Sequence, residues 1–548
     1  MSEQEADIYD VIIVGAGPCG LSAAARLRER TPAALFTDEE QRRFSWINKH
    51  RHGVSIKNTK TGKVSPASTG YRHGDAELRM LVLDSSGPGW LARWNRLFAT
   101  YDISHLRSPM LWHVDPQDRD ALLAYAYEQR REGELVEITN CVGKEISKHA
   151  KKKNMCSRHC GGKQNARVAI NLREKNDYFT PSRGLFSEHC RQVADRYGLE
   201  KGLVHHEAVE DIDYDVVKGV SVDDEKLFTV TTRQQRRFAR IVIMAVGPAN
   251  VPRIPHIPSM PASTKLPQAC HSMEIQQFPD AVVVEKMASR KPTNILVVGG
   301  GLTSAQLSDL AIRRGVSKVY HIMRGPCRVK HFDVDLQWMG KYKNTEQARF
   351  WLADTDSERL EMIKEARGGG SFTPLFHRRV KKHVATGKLE LHAQTCIEDA
   401  RFDEDSRTWH IKTCPPIAEL GPIDYIYFAT GIQSDFASLP YLQTMLGKYP
   451  IHGHGGFPCV TEDLMWNKDV PLFVLGRLAA LQLGPAAPNI GGARLGAERA
   501  AWAVEEILSR RQGMAQAAAG DAGSEGLAHY LAGNGNMYSA LASACDDG

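Results

Sequence analysis

An α/β protein with two parallel-sheet units, the second inserted into a discontinuous first, is the fold class this sequence predicts. Two observations carry it. A strand, a glycine turn and a helix follow one another twice, at Val11–Ser22 and at Asn294–Ala305. Two matching strand ends, Ala245-Val246-Gly247 and Ala429-Thr430-Gly431, stand where the chain would leave one unit and later return. Each strand is a short apolar run of the buried, parallel-sheet kind, and each helix starts directly after its glycines. The totals agree with this reading. The 548 residues exceed one ordinary domain, and 42% hydrophobic with 24% charged residues is a globular balance. A formal net charge of +6 is modest for this length and does not indicate a nucleic-acid protein. The mean hydropathy of −0.36 and the lack of a long apolar run argue against a membrane-spanning helix.

In the first turn, Gly15 permits the tight bend, Gly17 lets the backbone approach a pyrophosphate, and Gly20 lets helix and strand pack closely. The helix N-terminus then offers free N–H groups and its positive dipole end to the phosphates. This is the pattern of a Rossmann-like dinucleotide-binding domain. Residues 34–37 read as a second strand ending in Asp38-Glu39-Glu40, so Asp38 or Glu39 is expected to bind a ribose. Residues 42–120 hold Trp46, Trp90, Trp94 and Trp112 and read as a substrate-side insertion. Residues 143–177 collect lysine and arginine with few apolar residues, as a solvated basic loop does. Cys156 and Cys160 lie inside it without a second ligand pair, so no metal site is expected. A helix over 180–197 and a small β-meander over 203–238 lead into the strand at 239–247.

In the second turn Gly299 and Gly301 hold the first two glycine positions, and Ser304 replaces the third. The following strand, 319–323, ends in Arg324 rather than an acid, which suits the 2′-phosphate of NADPH. Residues 331–375 read as an irregular insertion with a helix over 357–366. A last strand at 470–475 leads through Gly484, Asn489 and Gly492 to a helix over 493–511, whose N–H groups suit a flavin's pyrimidine oxygen. The economical pairing is FAD on the first turn and NADPH on the second, with hydride passing between them. The expected division is an FAD-binding domain over 1–255 and 455–511, an NADPH-binding domain over 265–450, and a mobile tail over 512–548.

The two glycine turns, Ala429-Thr430-Gly431 and the helix entry Leu483-Gly484-Pro485…Asn489…Gly492-Ala493-Arg494 resemble the two-dinucleotide-domain flavoprotein monooxygenases. Within them the chain is most similar to fungal enzymes related to ornithine and lysine N-hydroxylases, and to the oxidative-stress-induced growth inhibitor proteins. The resemblance implies an NADPH-consuming, FAD-dependent monooxygenase that places one oxygen from O2 on a small molecule, by N- or other heteroatom hydroxylation in secondary metabolism. No catalytic side chain and no oligomeric state follow from it. There are departures. The Phe-x-Gly-x-x-x-His-x-x-x-(Tyr/Phe) motif of one subgroup keeps only His271, with Lys265, Pro267 and Ile275 at its other positions. Gly476 is followed by Arg477, where many flavoproteins have Asp. A growth-inhibitor-type flavoprotein without turnover and a disulfide oxidoreductase are the alternative readings, the latter lacking any Cys-x-x-Cys. The acidic start Met1–Glu5 and 11 scattered cysteines make a cytoplasmic location the expectation.

Overall fold

The computed structural model describes residues 7–519, except 38, 43–45, 47–54, 58–63, 67–77, 140, 142–171, 201, 253, 262–265 and 341. Asp38, Cys156, Cys160 and most of the basic loop therefore lie outside the described residues. Two parallel sheets organise the chain. Strand β1 (Ile8–Val14) lies at the centre of the first, between β2 (Met80–Asp84) and β6 (Arg236–Met244). Beyond β2 lies β3 (Val204–His206), and beyond β6 lies β15 (Val470–Val474), all parallel. The antiparallel ribbon β4 (Val209–Val216) and β5 (Lys226–Thr232) hangs on β6 and is the expected meander. Val11, Ile12 and Ile13 are fully buried, because a central parallel strand is covered on both faces and needs an unbroken apolar run.

The second sheet runs in the order β7 (Ala269–His271), β13 (Tyr425–Phe428), β8 (Asn294–Val298), β9 (Lys318–Met323), β10 (Leu389–Ala393), also all parallel. The antiparallel pair β11 (Cys396–Asp403) and β12 (Thr408–Cys414) lies against it through Ala400 and Trp409. The two units repeat one construction. Ala245 N–H donates to Val14 O and Ala429 N–H to Val298 O, so each Ala-x-Gly strand end closes on its own glycine turn. The crossings themselves are tied together, for the Asn250 side chain donates to Asp435 O at 2.6 Å and accepts from Asp435 N–H at 3.1 Å.

Four sequence expectations change. Residues 34–37 form a turn and exposed coil, not a strand; the strand beside β1 is Met80–Asp84, inside the stretch read as an insertion. Its Met-Leu-Val-Leu run is the better buried strand, whereas Ala34-Leu35 is exposed. Helix α6 (Lys343–Trp351) and helix α7 (Asp356–Arg367), counted with the NADPH unit, send Phe350, Leu360 and Ile363 into the first core. Helix α9 spans Ile490–Ala519, so the first part of the expected tail is helical. Arg26 of α1 (Pro18–Arg28), 2% exposed, bonds Glu498 at 2.8 Å and Glu505 at 3.0 Å, tying the first helix to this last one.

Candidate functional site

The first glycine turn has the geometry its sequence requires. Gly15 has φ +109°, and a Cβ on it would stand 2.5 Å from Ala245 O. A Cβ on Gly20 would fall inside the Gly15 carbonyl. Gly17 differs from both: a Cβ there would meet nothing within 4 Å. Open space at this point, in front of a helix whose N-terminus has no side-chain cap, fits the pyrophosphate of FAD.

Asp84, which sequence reasoning missed, completes this end. It closes β2 and accepts from Ala16 N–H at 2.7 Å and from Ser86 N–H at 2.6 Å. A carboxylate at the end of the second parallel strand, touching the turn, fits the ribose hydroxyl pair, and its oxygens retain free acceptor capacity. Glu39 is exposed, and its segment packs at the other end of α1, where Gln41 bonds Thr31 O and Gln117 O. An 11-residue helix separates the two ends by about 16 Å. Asp38, the other expected residue, lies outside the described residues. The available signal for Asp84 was an apolar run ending in Asp at 80–84; it was obscured by its distance from the turn.

The expected residues of the last helix entry shape the backbone. Gly484 has φ +80° and faces Phe350 and Trp338 at 3.7 and 3.8 Å. A Cβ on Gly492 would stand 2.8 Å from Ala486 C. Asn489 spends its amide on Asp333, donating to Oδ1 at 2.9 Å. Asp333 also accepts from Arg367 at 2.8 Å, and Arg367 donates to Pro485 O at 2.9 Å. Burial pulls the Asp333 carboxyl up, but Arg367, Arg107 and the Asn489 amide outweigh it and hold it below the ordinary value. Arg107 itself binds Lys330 O, His331 O and both oxygens of Ser371. These polar groups join the helix entry to the 331–372 segment.

At the second turn Gly299 has φ +151°, and its Cβ would stand 2.9 Å from Ala429 C. Gly301 leads into α5 (Leu302–Arg313) without a side-chain cap. Ser304 is fully buried and donates to Gly301 O at 2.6 Å, so the third position closes the turn with a hydrogen bond instead of a bare Cα. Gly370 packs on this turn from the insertion, 4.0 Å from where a Gly301 Cβ would be. His321, buried beneath, accepts at Nδ1 from Ser308 and donates from Nε2 to Gly299 O at 2.8 Å. Arg324 follows the end of β9 and is exposed, with Arg328 and Lys330 in the same loop. That placement fits a phosphate on the adenosine ribose of NADPH.

His271 serves the crossing. Its Nδ1 accepts from Met273 N–H and its Nε2 bonds Gly431 O, both at 3.2 Å. Cys19 lies in the first turn, but burial pushes its thiol up to about 12, the reverse of what a disulfide reductase needs.

Three buried histidines add a pH prediction. Burial pushes His321 down to about 4 and His189 down to about 3; burial, with Arg494 beside it, also lowers His113 well below its ordinary value. The unfolded chain takes up these protons near pH 6.5, whereas the folded chain does not. Stability is therefore complete above that pH and falls as pH drops from there toward about 4, by up to about 3 kcal/mol for His321. Thermal unfolding midpoints should decline from pH 6.5 downward, with a shallower slope in His321→Gln. An unchanged slope in that variant would remove His321 from this account.

Residues 172–432 match the family model described as L-lysine 6-monooxygenase/L-ornithine 5-monooxygenase. No curated protein sequence matches the chain. Among solved structures it is similar to the ornithine hydroxylase of Pseudomonas aeruginosa, at 14% identity and TM-score 0.56 over 92% of this chain and 100% of that one. It is similar to the ornithine N-hydroxylase of Kutzneria sp. 744, at 14% identity and TM-score 0.54 over 91% and 100%. The FAD-bound cadaverine monooxygenase of Erwinia amylovora matches at 15% identity and TM-score 0.54 over 91% and 95%. At such identities these likenesses speak for the fold. The two dinucleotide turns in the order described, and the likeness of residues 172–432 to the L-lysine 6-monooxygenase/L-ornithine 5-monooxygenase family, make the chain similar to the two-dinucleotide-domain flavoprotein monooxygenases.

Proposed function

We propose that this protein hydroxylates an amine nitrogen of a small molecule, in the manner of the lysine and ornithine N-monooxygenases. The observation that carries the reading is the match over residues 172–432. That stretch includes the second glycine turn and ends beside Gly431, at the crossing between the units. Bound FAD supplies the hydride acceptor and the oxygen chemistry. The chain's own part is placement. Gly17 and the start of α1 receive the diphosphate, Asp84 the ribose, and the second turn with Arg324 the reductant. The Arg107–Asp333–Arg367–Asn489 network fixes the helix entry against the 331–372 segment and keeps that junction closed. The division into an FAD unit and an NADPH unit follows the two sheets, with α6 and α7 assigned to the first. A cytoplasmic location accords with eight free cysteines among the described residues. No described helix is long and apolar enough to cross a membrane.

The purified holoprotein tests this directly. It should be yellow, bleach with NADPH under nitrogen, and consume O2 with product formation when given ornithine, lysine or an aliphatic diamine. Mass spectrometry should then show one added oxygen on nitrogen. NADPH oxidation with no oxygenated amine in that set would overturn the N-hydroxylase reading. Arg324→Ala should raise the KM for NADPH by about 10- to 100-fold, the worth of a charge-assisted contact, with NADH use unchanged. A native preference for NADH would remove Arg324 from this role.

A further inference from the structure

Three buried or half-buried arginines that the first unit gathers are already satisfied. Arg26 has two carboxylates, Arg107 four oxygens, and Arg367 a carboxylate, a carbonyl and an amide oxygen. Among the described residues Arg93 has no bonded partner but has the Asp84 carboxylate acting on it, which leaves Arg477 without any counter-charge. Arg477 is half-buried, and among the described residues no hydrogen bond or ion pair reaches its guanidinium. The charge that acts on it is a second cation, Arg367, which together with burial disfavours its protonated form. A guanidinium drawn partly out of water beside another cation is unfavourable unless an anion arrives.

The backbone shows where that anion would be. Arg477 follows the end of β15, the strand that pairs with β6 in the first sheet. Gly476 before it has φ +65°, and a Cβ there would stand 3.3 Å from Cys19 Sγ. Arg477 thus starts from the rim of the first glycine turn, next to the open space at Gly17. The cation that acts on it, Arg367, is itself bonded to Asn489 at the helix entry.

We propose that Arg477 binds the diphosphate of FAD, as a cation complementing the N-terminus of α1. The proposal rests on the first turn being the FAD site. The diphosphate brings two negative charges to a guanidinium that has no counter-charge among the described residues. An arginine offers two parallel N–H donors to such a group, and a lysine only a point charge.

The test strips the flavin and titrates apoprotein with FAD and with riboflavin, which has no phosphate, following flavin fluorescence. Arg477→Ala should weaken FAD binding by about 10- to 100-fold and leave riboflavin binding unchanged. Arg477→Lys should recover part of the loss, and the salt dependence of FAD binding should be shallower in the alanine variant. Thermal unfolding of the apoproteins checks that the variants fold. Equal weakening of FAD and riboflavin, or no change in either, would overturn the proposal. If the wild-type apoprotein binds neither ligand, it is the reading of the first turn that fails.

Discussion

Gly17→Val is expected to give a folded protein without flavin. At most tight glycines a side chain damages the chain itself; the Gly15 and Gly20 contacts with the carbonyls of Ala245 and Gly15 are of that kind. Gly17 is different because its Cβ would meet no protein atom within 4 Å, and its φ of −77° is open to any residue. The isopropyl group would occupy the space left for the diphosphate. Purification should yield colourless protein whose far-UV spectrum and unfolding midpoint match those of wild-type apoprotein. Gly20→Ala should instead fail to accumulate as folded protein. A yellow Gly17→Val protein would mean that the cofactor lies elsewhere.

Asp333→Ala should produce the largest loss of stability among the polar substitutions. This carboxylate is the only described anion that bonds Arg367, and it faces Arg107 as well. Without it two guanidiniums stand partly desolvated with no compensating charge, and the Asn489 amide loses its acceptor. Breaking a fully buried pair costs about 3–5 kcal/mol; with Asp333 31% exposed, roughly 2–3 kcal/mol is expected. Chemical denaturation would read this as a lower midpoint. Limited proteolysis should also cut sooner near residues 484–490, because Arg367 and Asn489 no longer share an anchor. A wild-type midpoint would show that Asp333 contributes nothing net.

The glycine turns were legible in the sequence because each residue there answers a local demand. A positive φ, a carbonyl at contact distance or an open face for phosphate leaves few alternatives to glycine, and Gly15, Gly17, Gly20 and Gly299 all read correctly in geometry. Asp84 was not legible in the same way. Spacing rules assume that the second strand follows the first helix closely, and here residues 29–79 intervene before β2. The short apolar run at 34–36 supplied a false strand, since three or four apolar residues carry too little periodicity to separate strand from turn. The polar network around Asp333 was hidden for another reason. Its members come from positions 107, 333, 367 and 489, and only tertiary packing brings them together. The same holds for α6 and α7, whose sequence position suggests the second unit while Phe350 and Leu360 pack with the first.

The way the sheets are threaded also bears on how the protein is made. The second sheet draws all five strands from 269–428, so it can close soon after that stretch leaves the ribosome. The first sheet waits for β15 at Val470–Val474, and Arg26 waits longer still for Glu498 and Glu505. During synthesis the second unit should therefore mature ahead of the first, against the usual N-terminus-first order. A stalled chain ending near residue 450 should protect the second unit from protease and leave β6 without its β15 neighbour.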